Sequence, residues 1–321
     1  MNKSLNSLKE IFDKYLEEQR FTKAPAALYE PNNYILELGG KRLRPTLVLM
    51  ACELFGKNAS VALPAALTVE YFHNFSLIHD DIMDEASLRR GKPTVHMKYN
   101  TNDAILSGDV LLIYAYKYLT SYEAALQKVL ITDLTDTAIE VCEGQSMDTS
   151  FETRNDVTED EYIEMIRLKT AVLLAASLRM GALIGGATKE EADGLYTYGE
   201  NLGIAFQIQD DILDTFGGDQ VGKQIGGDIL QNKKTLLLIR AQEKSKQNND
   251  SNLSNWLEKT EFSDNEKIES VKSIFEQYDV LKYAQTKRDA YVEKALNALQ
   301  SINKPAEPLE ALVDALVVRS F

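Results

Sequence analysis

The chain has 321 residues, 44% of them hydrophobic and 26% charged, which supplies a sizeable core within an ordinary globular composition. Asp and Glu outnumber Lys and Arg by 49 to 35, a formal charge of -14, so the basic face that a nucleic-acid binder needs is excluded. Cys52 and Cys142 lie far apart in apolar stretches and are expected to be two buried free thiols. The first twenty residues are amphipathic and charged throughout, without the apolar core of a signal peptide. No stretch is expected to reach the apolar length that spans a bilayer, so a cytoplasmic protein with no transmembrane segment is anticipated.

Apolar residues recur at three- and four-residue spacing almost everywhere, and strand-like alternation is scarce, so the pattern predicts helix after helix. Pro45, after GGKRLR, opens a helix to about residue 55, since proline is tolerated in the first turn. Further helices are predicted over about 60–84, 102–120 and 122–148. Thr158 and Glu161 form a capping-box pattern ahead of an apolar helix to about residue 183. Others are expected over 189–216, 233–244 and from 266 to the end. The breaks LGGKR, RRGKP and GGDQVGKQIGGD are short and lack the character of a domain linker. The expectation is an all-α, single-domain helical bundle over residues 1–321 around a deep central cavity.

FSLIHDDIMD at 75–84 and AFQIQDDILD at 205–214 repeat one acidic pattern at the end of one kind of apolar helix. Residues four apart on a helix lie about 40° from each other. Asp80 and Asp84 therefore share a face with Asp81 beside them, and Asp210, Asp214 and Asp211 repeat the arrangement. An acidic triplet is usually a solvated patch whose charges repel. Here the flanking segments read as buried, and carboxylates ending a buried helix call for a cation. All-oxygen ligation suits Mg2+, or Mn2+, better than zinc.

Basic residues complete the pattern. Lys41 and Arg44 stand at a helix N-terminus behind Gly39-Gly40, where free N–H groups favour anions. Arg89, Arg90 and Lys92 follow the first acidic cluster. Lys169 interrupts an apolar run and needs an anionic partner or a path to solvent. Lys223 and Lys233 follow the second cluster. Most lysines are merely solvated, but both clusters together with these cations describe a site for metal-bridged diphosphates. Of the three histidines, His73 and His79 point to different helix faces and no cysteine stands at ligand spacing, which argues against zinc. His73 lies seven residues before Asp80 on the same face; His79 can be packing or functional. Gly217 to Lys223 nearly matches a P-loop, but Gln224 replaces the Mg2+-ligating hydroxyl and a helix precedes it. A lid carrying Lys223 is the better reading.

These motifs strongly resemble the trans-isoprenyl diphosphate synthases, the polyprenyl synthetase family, from GGKRLRP at 39–45 to GKQIGGDILQNKKT at 222–235, with SGD at 107–109 and GQSMD at 144–148. The resemblance implies that Asp80, Asp81 and Asp84 bind two Mg2+ against an allylic diphosphate and that Asp210, Asp211 and Asp214 hold a third. It implies allylic diphosphate contacts from Arg89, Lys169, Thr170, Gln207, Lys223 and Lys233. Isopentenyl diphosphate would meet Lys41, Arg44, His73 and Arg90. It further implies a homodimer. Leu237 in TLLLI departs from the common TLPLI.

The expected activity is head-to-tail condensation of isopentenyl diphosphate with dimethylallyl, geranyl or farnesyl diphosphate. In the family, large side chains four and five residues before the first aspartate shorten the product; here they are Ser76, small, and Phe75, large. On a simple helix Phe75 lies roughly 7 Å and Phe72 roughly 12 Å from Asp80 along the axis. Wheel geometry puts Ser76 and Phe72 nearer the aspartate face than Phe75, so the two arguments differ on which ring forms a floor, and both rings can equally be plain core. Geranylgeranyl diphosphate is the expected product and farnesyl diphosphate the alternative. A class I terpene cyclase normally carries an Asn/Ser/Glu second metal motif, and a non-catalytic subunit of a heteromeric synthase should lack one aspartate motif; this chain repeats Asp-Asp-x-x-Asp.

Overall fold

A computed structural model describes residues 5–217, 226–302, 304–305 and 307–318. Among these the chain is almost wholly helical, and it divides into two compact units, residues 1–138 with 176–196, and residues 139–175 with 197–321.

The first unit begins with α1 (Leu5–Glu18), whose Leu8 and Phe12 are buried, and α2 (Ala26–Glu37). α3 (Leu43–Leu54) starts two residues before the predicted Pro45, with Arg42 as its N-cap residue in left-handed backbone. A 3-10 turn (Ala59–Ala62), capped by the Asn58 side chain, leads into α4 (Leu63–Met83), the helix that carries the first acidic motif. RRGKP is a β-hairpin: β1 (Leu88–Arg89) pairs antiparallel with β2 (Lys92–Pro93). Arg90 and Gly91, both at positive φ, form its two-residue turn, the backbone that a tight hairpin of this twist requires. After the short α5 (Val95–Lys98) come α6 (Thr101–Leu119), capped by Asn100, and α7 (Ala124–Phe151), which begins in this unit. α3 buries most of its residues, including Leu47 and Leu49, and α4 buries every residue from Ala65 to Phe72, so these stretches are core on all sides.

The second unit holds the predicted capping box: Thr158 and Glu161 satisfy each other's backbone at the start of α8 (Glu159–Ile166). The apolar helix expected to run on to residue 183 is not uniform. A π-turn at Arg167–Ala171 separates α8 from α9 (Val172–Gly185). α10 (Lys189–Phe216) has the predicted bounds and carries the second acidic motif. α11 (Gly227–Leu230) and α12 (Leu236–Gln247) follow; α12 begins at the Thr235 cap and not at residue 233, because Lys233 and Lys234 precede that cap. α13 (Asn252–Glu258) is not among the expected helices, and the single helix expected from residue 266 is divided into α14 (Asp264–Gln277), α15 (Val280–Ala298) and α16 (Glu307–Val313). The break between α14 and α15 falls at Asp279, whose left-handed φ of 52° cannot continue a right-handed helix. Ile204, Ile208 and Ile212 pack with Leu236–Ile239, Val271 and Phe275 in this unit's core.

Two further expectations are corrected. Glu159–Gly185 is long and apolar enough to cross a membrane by length and composition, although 78% of its apolar window is buried in the protein, as in a core helix. Cys52 is buried, but Cys142 is exposed; both are free thiols.

Candidate active site

In the first unit, α4 delivers Asp80 and Asp81 in its last turn and ends at Asp84, its C-cap residue. The three carboxylates do not share one environment. Asp81 is buried, Asp80 is partly covered, and Asp84 is exposed. Arg89, placed by β1, grips Asp81 through two parallel bonds of 2.8 Å, and its Nη2 lies 3.7 Å from Asp80. Such a fork makes two parallel charge-assisted bonds and fixes the carboxylate's orientation.

Seven residues upstream, His73 Nε2 lies 3.3 Å from Arg44 Nη1. Arginine only donates, so Nε2 accepts and the proton sits on Nδ1. Burial, then Arg44, Arg89, Arg90 and Arg42, push the His73 pKa well below its ordinary value, keeping the ring neutral. Four guanidinium groups therefore act on one point of a chain whose net charge is -14. Arg44 Nε is buried with no hydrogen-bond partner among the described residues, a donor set for an acceptor the protein does not supply. Arg90, on the hairpin turn, donates to the Gly39 carbonyl, tying RRGKP to the GGKR loop. Lys41 is exposed beside them.

The residues expected to set product length also lie on α4. Phe72 is buried and Phe75 partly so; their ring centroids are 5.7 Å apart, and Phe75 meets the His79 ring edge-on at 4.8 Å. Ser76 Oγ donates to the His73 carbonyl of its own helix. His79 Nε2 lies 3.2 Å from the Ile105 carbonyl and 3.8 Å from Asp109. SGD explains itself here. Ser107 bonds the Leu28 carbonyl, and any side chain at Gly108 would stand 2.5 Å from His79 Nε2.

In the second unit, the π-turn positions Lys169 and Thr170. Its backbone fits between two glycines: a Cβ at Gly144 would come within 2.8 Å of the Leu168 carbonyl carbon, and one at Gly203 within 2.6 Å of Ala171 Cα. An insertion of this kind in a helix re-aims side chains and is frequent at functional sites. Lys169 finds the anion it needed in Asp148, at 2.5 Å, the last residue of GQSMD. Thr170 lies 3.2 Å from Gln207 Oε1, and Gln207 Nε2 donates to Asp211 at 2.9 Å. Asp211 also accepts from Tyr162 at 2.6 Å, and both are buried. Burial, then the charge of Asp228, push the Asp211 carboxyl up to about 7. Asp210 is partly buried. Asp214 accepts the Asp228 amide at 2.9 Å, and its carbonyl accepts the Gly226 amide at 2.7 Å, so the end of α10 holds the start of α11. Lys233, 3.9 Å from Asp228, is exposed. Lys223, expected on a lid, lies outside the described residues.

Four residues escaped the sequence reading. Arg42 and Glu70 form a buried ion pair, and a lone glutamate within the apolar LTVEYF was the available signal. Tyr162 looked like core, because a hydroxyl's partner cannot be read from helical periodicity. Asp228 was in view in GGDIL but outside the Asp-Asp-x-x-Asp spacing.

Whether these residues fit a divalent metal turns on donor chemistry. Among the described residues no three His, Cys, Asp or Glu side chains already form a metal-binding group. Each cluster offers only carboxylate oxygens, and Mg2+ takes one or two of these and completes its shell with water and phosphate. Asp211, buried beside a like charge, is the carboxylate whose ionisation a cation would relieve. The donor set fits.

Comparison with known proteins agrees with this chemistry. A sequence model described as polyprenyl synthetase matches residues 25–277, spanning parts of both units. A geranylgeranyl diphosphate synthase of Methanosarcina mazei is 46% identical over 235 residues, 72% of each chain. A geranylfarnesyl diphosphate synthase of Natronomonas pharaonis is 41% identical over 255 residues, 73% of this chain and 74% of that one. A crystal structure of a geranylgeranyl pyrophosphate synthase superposes with a TM-score of 0.94 at 43% identity, covering 99% of this chain and all of the other. With its two aspartate motifs, its arginine cluster and these relatives, the chain belongs to the polyprenyl synthetase family.

Proposed function

We propose that this protein is a Mg2+-dependent short-chain prenyltransferase that extends allylic diphosphates with isopentenyl diphosphate, its main product being geranylgeranyl diphosphate. The observation that carries this reading is Arg44, whose Nε is buried and unpartnered among the described residues, hydrogen-bonded to His73 on the helix that bears the first aspartate motif. Relatives named for geranylgeranyl diphosphate support the product length. Both aspartate motifs and the family match across both units support one catalytic domain.

The roles follow from residue chemistry. Asp80, Asp81 and Asp84, with Asp210, Asp211 and Asp214, would hold the metal ions. Bound Mg2+ supplies charge neutralisation for the departing diphosphate. Lys169, Lys233, Lys223 and Arg89 would supply positive charge to the diphosphate oxygens as they gain negative charge when the allylic carbon–oxygen bond breaks. Thr170 and Gln207 orient that group by hydrogen bonding. Lys41, Arg44, Arg90 and neutral His73 hold the diphosphate of isopentenyl diphosphate, which presents its double bond to the allylic cation. A carbon–carbon bond forms, and the proton lost from the adjacent carbon leaves with the released diphosphate. Apolar walls including Phe72 and Phe75 exclude water that would quench the cation. A homodimer is proposed as well; exposed Ile105, Leu106 and Ile113 on α6 give it an apolar surface to cover. The acidic composition and two free thiols are in keeping with a cytoplasmic site of action.

The test is incubation of purified protein with isopentenyl diphosphate and each of the dimethylallyl, geranyl and farnesyl primers, with Mg2+ or with chelator. A linear twenty-carbon diphosphate, formed only with the metal, is expected. A hydrocarbon, or no elongation, overturns the reaction class; a fifteen- or twenty-five-carbon product overturns the length alone.

A further inference from the structure

We propose that Arg42 and Glu70, which the roles above leave unused, are positioning residues for the isopentenyl diphosphate site; the inference rests on the reading of Lys41, Arg44, His73 and Arg90 as that site. Arg42 sits between Lys41 and Arg44 in sequence but is turned the other way. Lys41 is exposed, whereas Arg42 is 7% exposed and adopts left-handed backbone at φ 51°, ψ 36°. That conformation is unfavourable for a non-glycine residue and persists where surrounding contacts over-determine it.

Those contacts are specific. One planar guanidinium reaches three helices: Nη1 bonds Glu70 of α4, Nη2 bonds the Leu36 carbonyl near the end of α2, and Nε lies 3.6 Å from Asp13 of α1. The Arg42 carbonyl accepts both the amide of Thr46, at 3.2 Å, and its hydroxyl, at 2.7 Å, so the first turn of α3 is locked to the same residue. Glu70 is 4% exposed and also accepts from buried Asn74 at 2.9 Å. His73 follows Glu70 by three residues, one helical turn along α4. The pair therefore holds the start of α3, which bears Arg44, against the turn of α4 that bears His73.

Without this pair, the Arg44–His73 hydrogen bond, the binding contact itself, would be left to join the start of α3 to that turn. Gly39 and Gly40, both at positive φ, join α2 to this corner as a pliable link, and the Gly39 carbonyl takes Arg90. A shift of Arg42 would thus move Lys41, Arg44 and the Arg90 anchor together. Buried ion pairs are often no better for stability than well-packed apolar replacements. Glu70 also matches Arg42 charge for charge, so the positive charge of Arg44 and Arg90 is left for a ligand.

The test compares Arg42→Lys, Glu70→Gln and the double variant Arg42→Met/Glu70→Leu with wild type. Melting temperature, kcat, and KM for each substrate are measured, together with calorimetric binding of isopentenyl diphosphate alone. A rise of about 10-fold in KM for isopentenyl diphosphate is expected in Arg42→Lys, with KM for the allylic primer within about two-fold. The double variant should melt near wild type and keep the raised KM. Wild-type KM in a folded double variant, or equal rises in both KM values, overturns the proposal. If the double variant does not fold, Arg42→Lys, which keeps the charge and loses the fork, decides by the same split. If wild type makes no product, the proposed function has failed, and binding of isopentenyl diphosphate to wild type and Arg42→Lys still reads the clamp separately.

Discussion

Replacing Gly144 with alanine would place a Cβ 2.8 Å from both the Leu168 carbonyl carbon and the Leu168 Cβ, and closer still to the Lys169 amide nitrogen. Non-bonded heavy atoms sit at about 3.5 Å, so the tightest contact, to the Lys169 nitrogen, requires the π-turn or α7 to yield by about 1 Å. Two opposing terms set the stability change. Alanine improves helix propensity by about 1 kcal/mol over glycine, and overpacking against backbone costs about 1–3 kcal/mol. The net loss is about 0–2 kcal/mol, a fall in Tm of no more than about 8 °C. Activity should respond more. The displaced segment carries Lys169 and Thr170, and a misplacement near 1 Å can reduce rate about 100-fold. Circular-dichroism melting with steady-state kinetics checks this: the variant should stay folded at assay temperature with kcat reduced at least about 10-fold. Gly203→Ala, which presses Ala171 from α10, should do the same. A folded Gly144→Ala enzyme with wild-type kcat would refute the claim that close glycine packing positions Lys169.

Phe75→Ala removes the ring between Phe72 and His79 and should shift the product toward longer chains by mass spectrometry; an unchanged distribution shows that this ring is not the floor. Tyr162→Phe deletes the 2.6 Å bond to buried Asp211, which should destabilise the protein by about 1–3 kcal/mol and change the Mg2+ concentration for half-maximal activity, read from urea midpoints and metal titration; wild-type values in both would sink that role. His73 has a depressed folded pKa, so its neutral form is favoured by folding: stability is intact above the ordinary value near 6.5 and declines as pH falls below it. Between pH 7.5 and 5.5 wild type should lose about 1.4 kcal/mol more than His73→Gln in urea unfolding, and parallel curves would contradict the burial of a neutral ring.

Local patterns carried much of this protein. Both aspartate motifs end long apolar helices, the capping box at Thr158 starts α8, and α10 spans the residues its periodicity indicated, because these depend on neighbours within one or two turns. The chemistry of the candidate site was legible for the same reason: carboxylates, lysines and arginines interrupting apolar runs must be paired or used. The helix breaks at the C-terminal end were less legible, since one left-handed residue such as Asp279 leaves no mark in hydrophobic spacing.

Tertiary structure alone decided which of several similar side chains does what. Nothing in GGKRLR distinguishes exposed Lys41 from buried Arg42; the distinction comes from Glu70, 28 residues away, on a helix that packs against it. The π-turn under Lys169 exists beside Gly144 and Gly203, each on a separate helix, and Tyr162 meets Asp211 across 49 positions of sequence. Such contacts join residues far apart along the chain, and the sequence records their types but not their meeting. Periodicity determines which face of a helix is apolar; packing determines which polar group stands opposite.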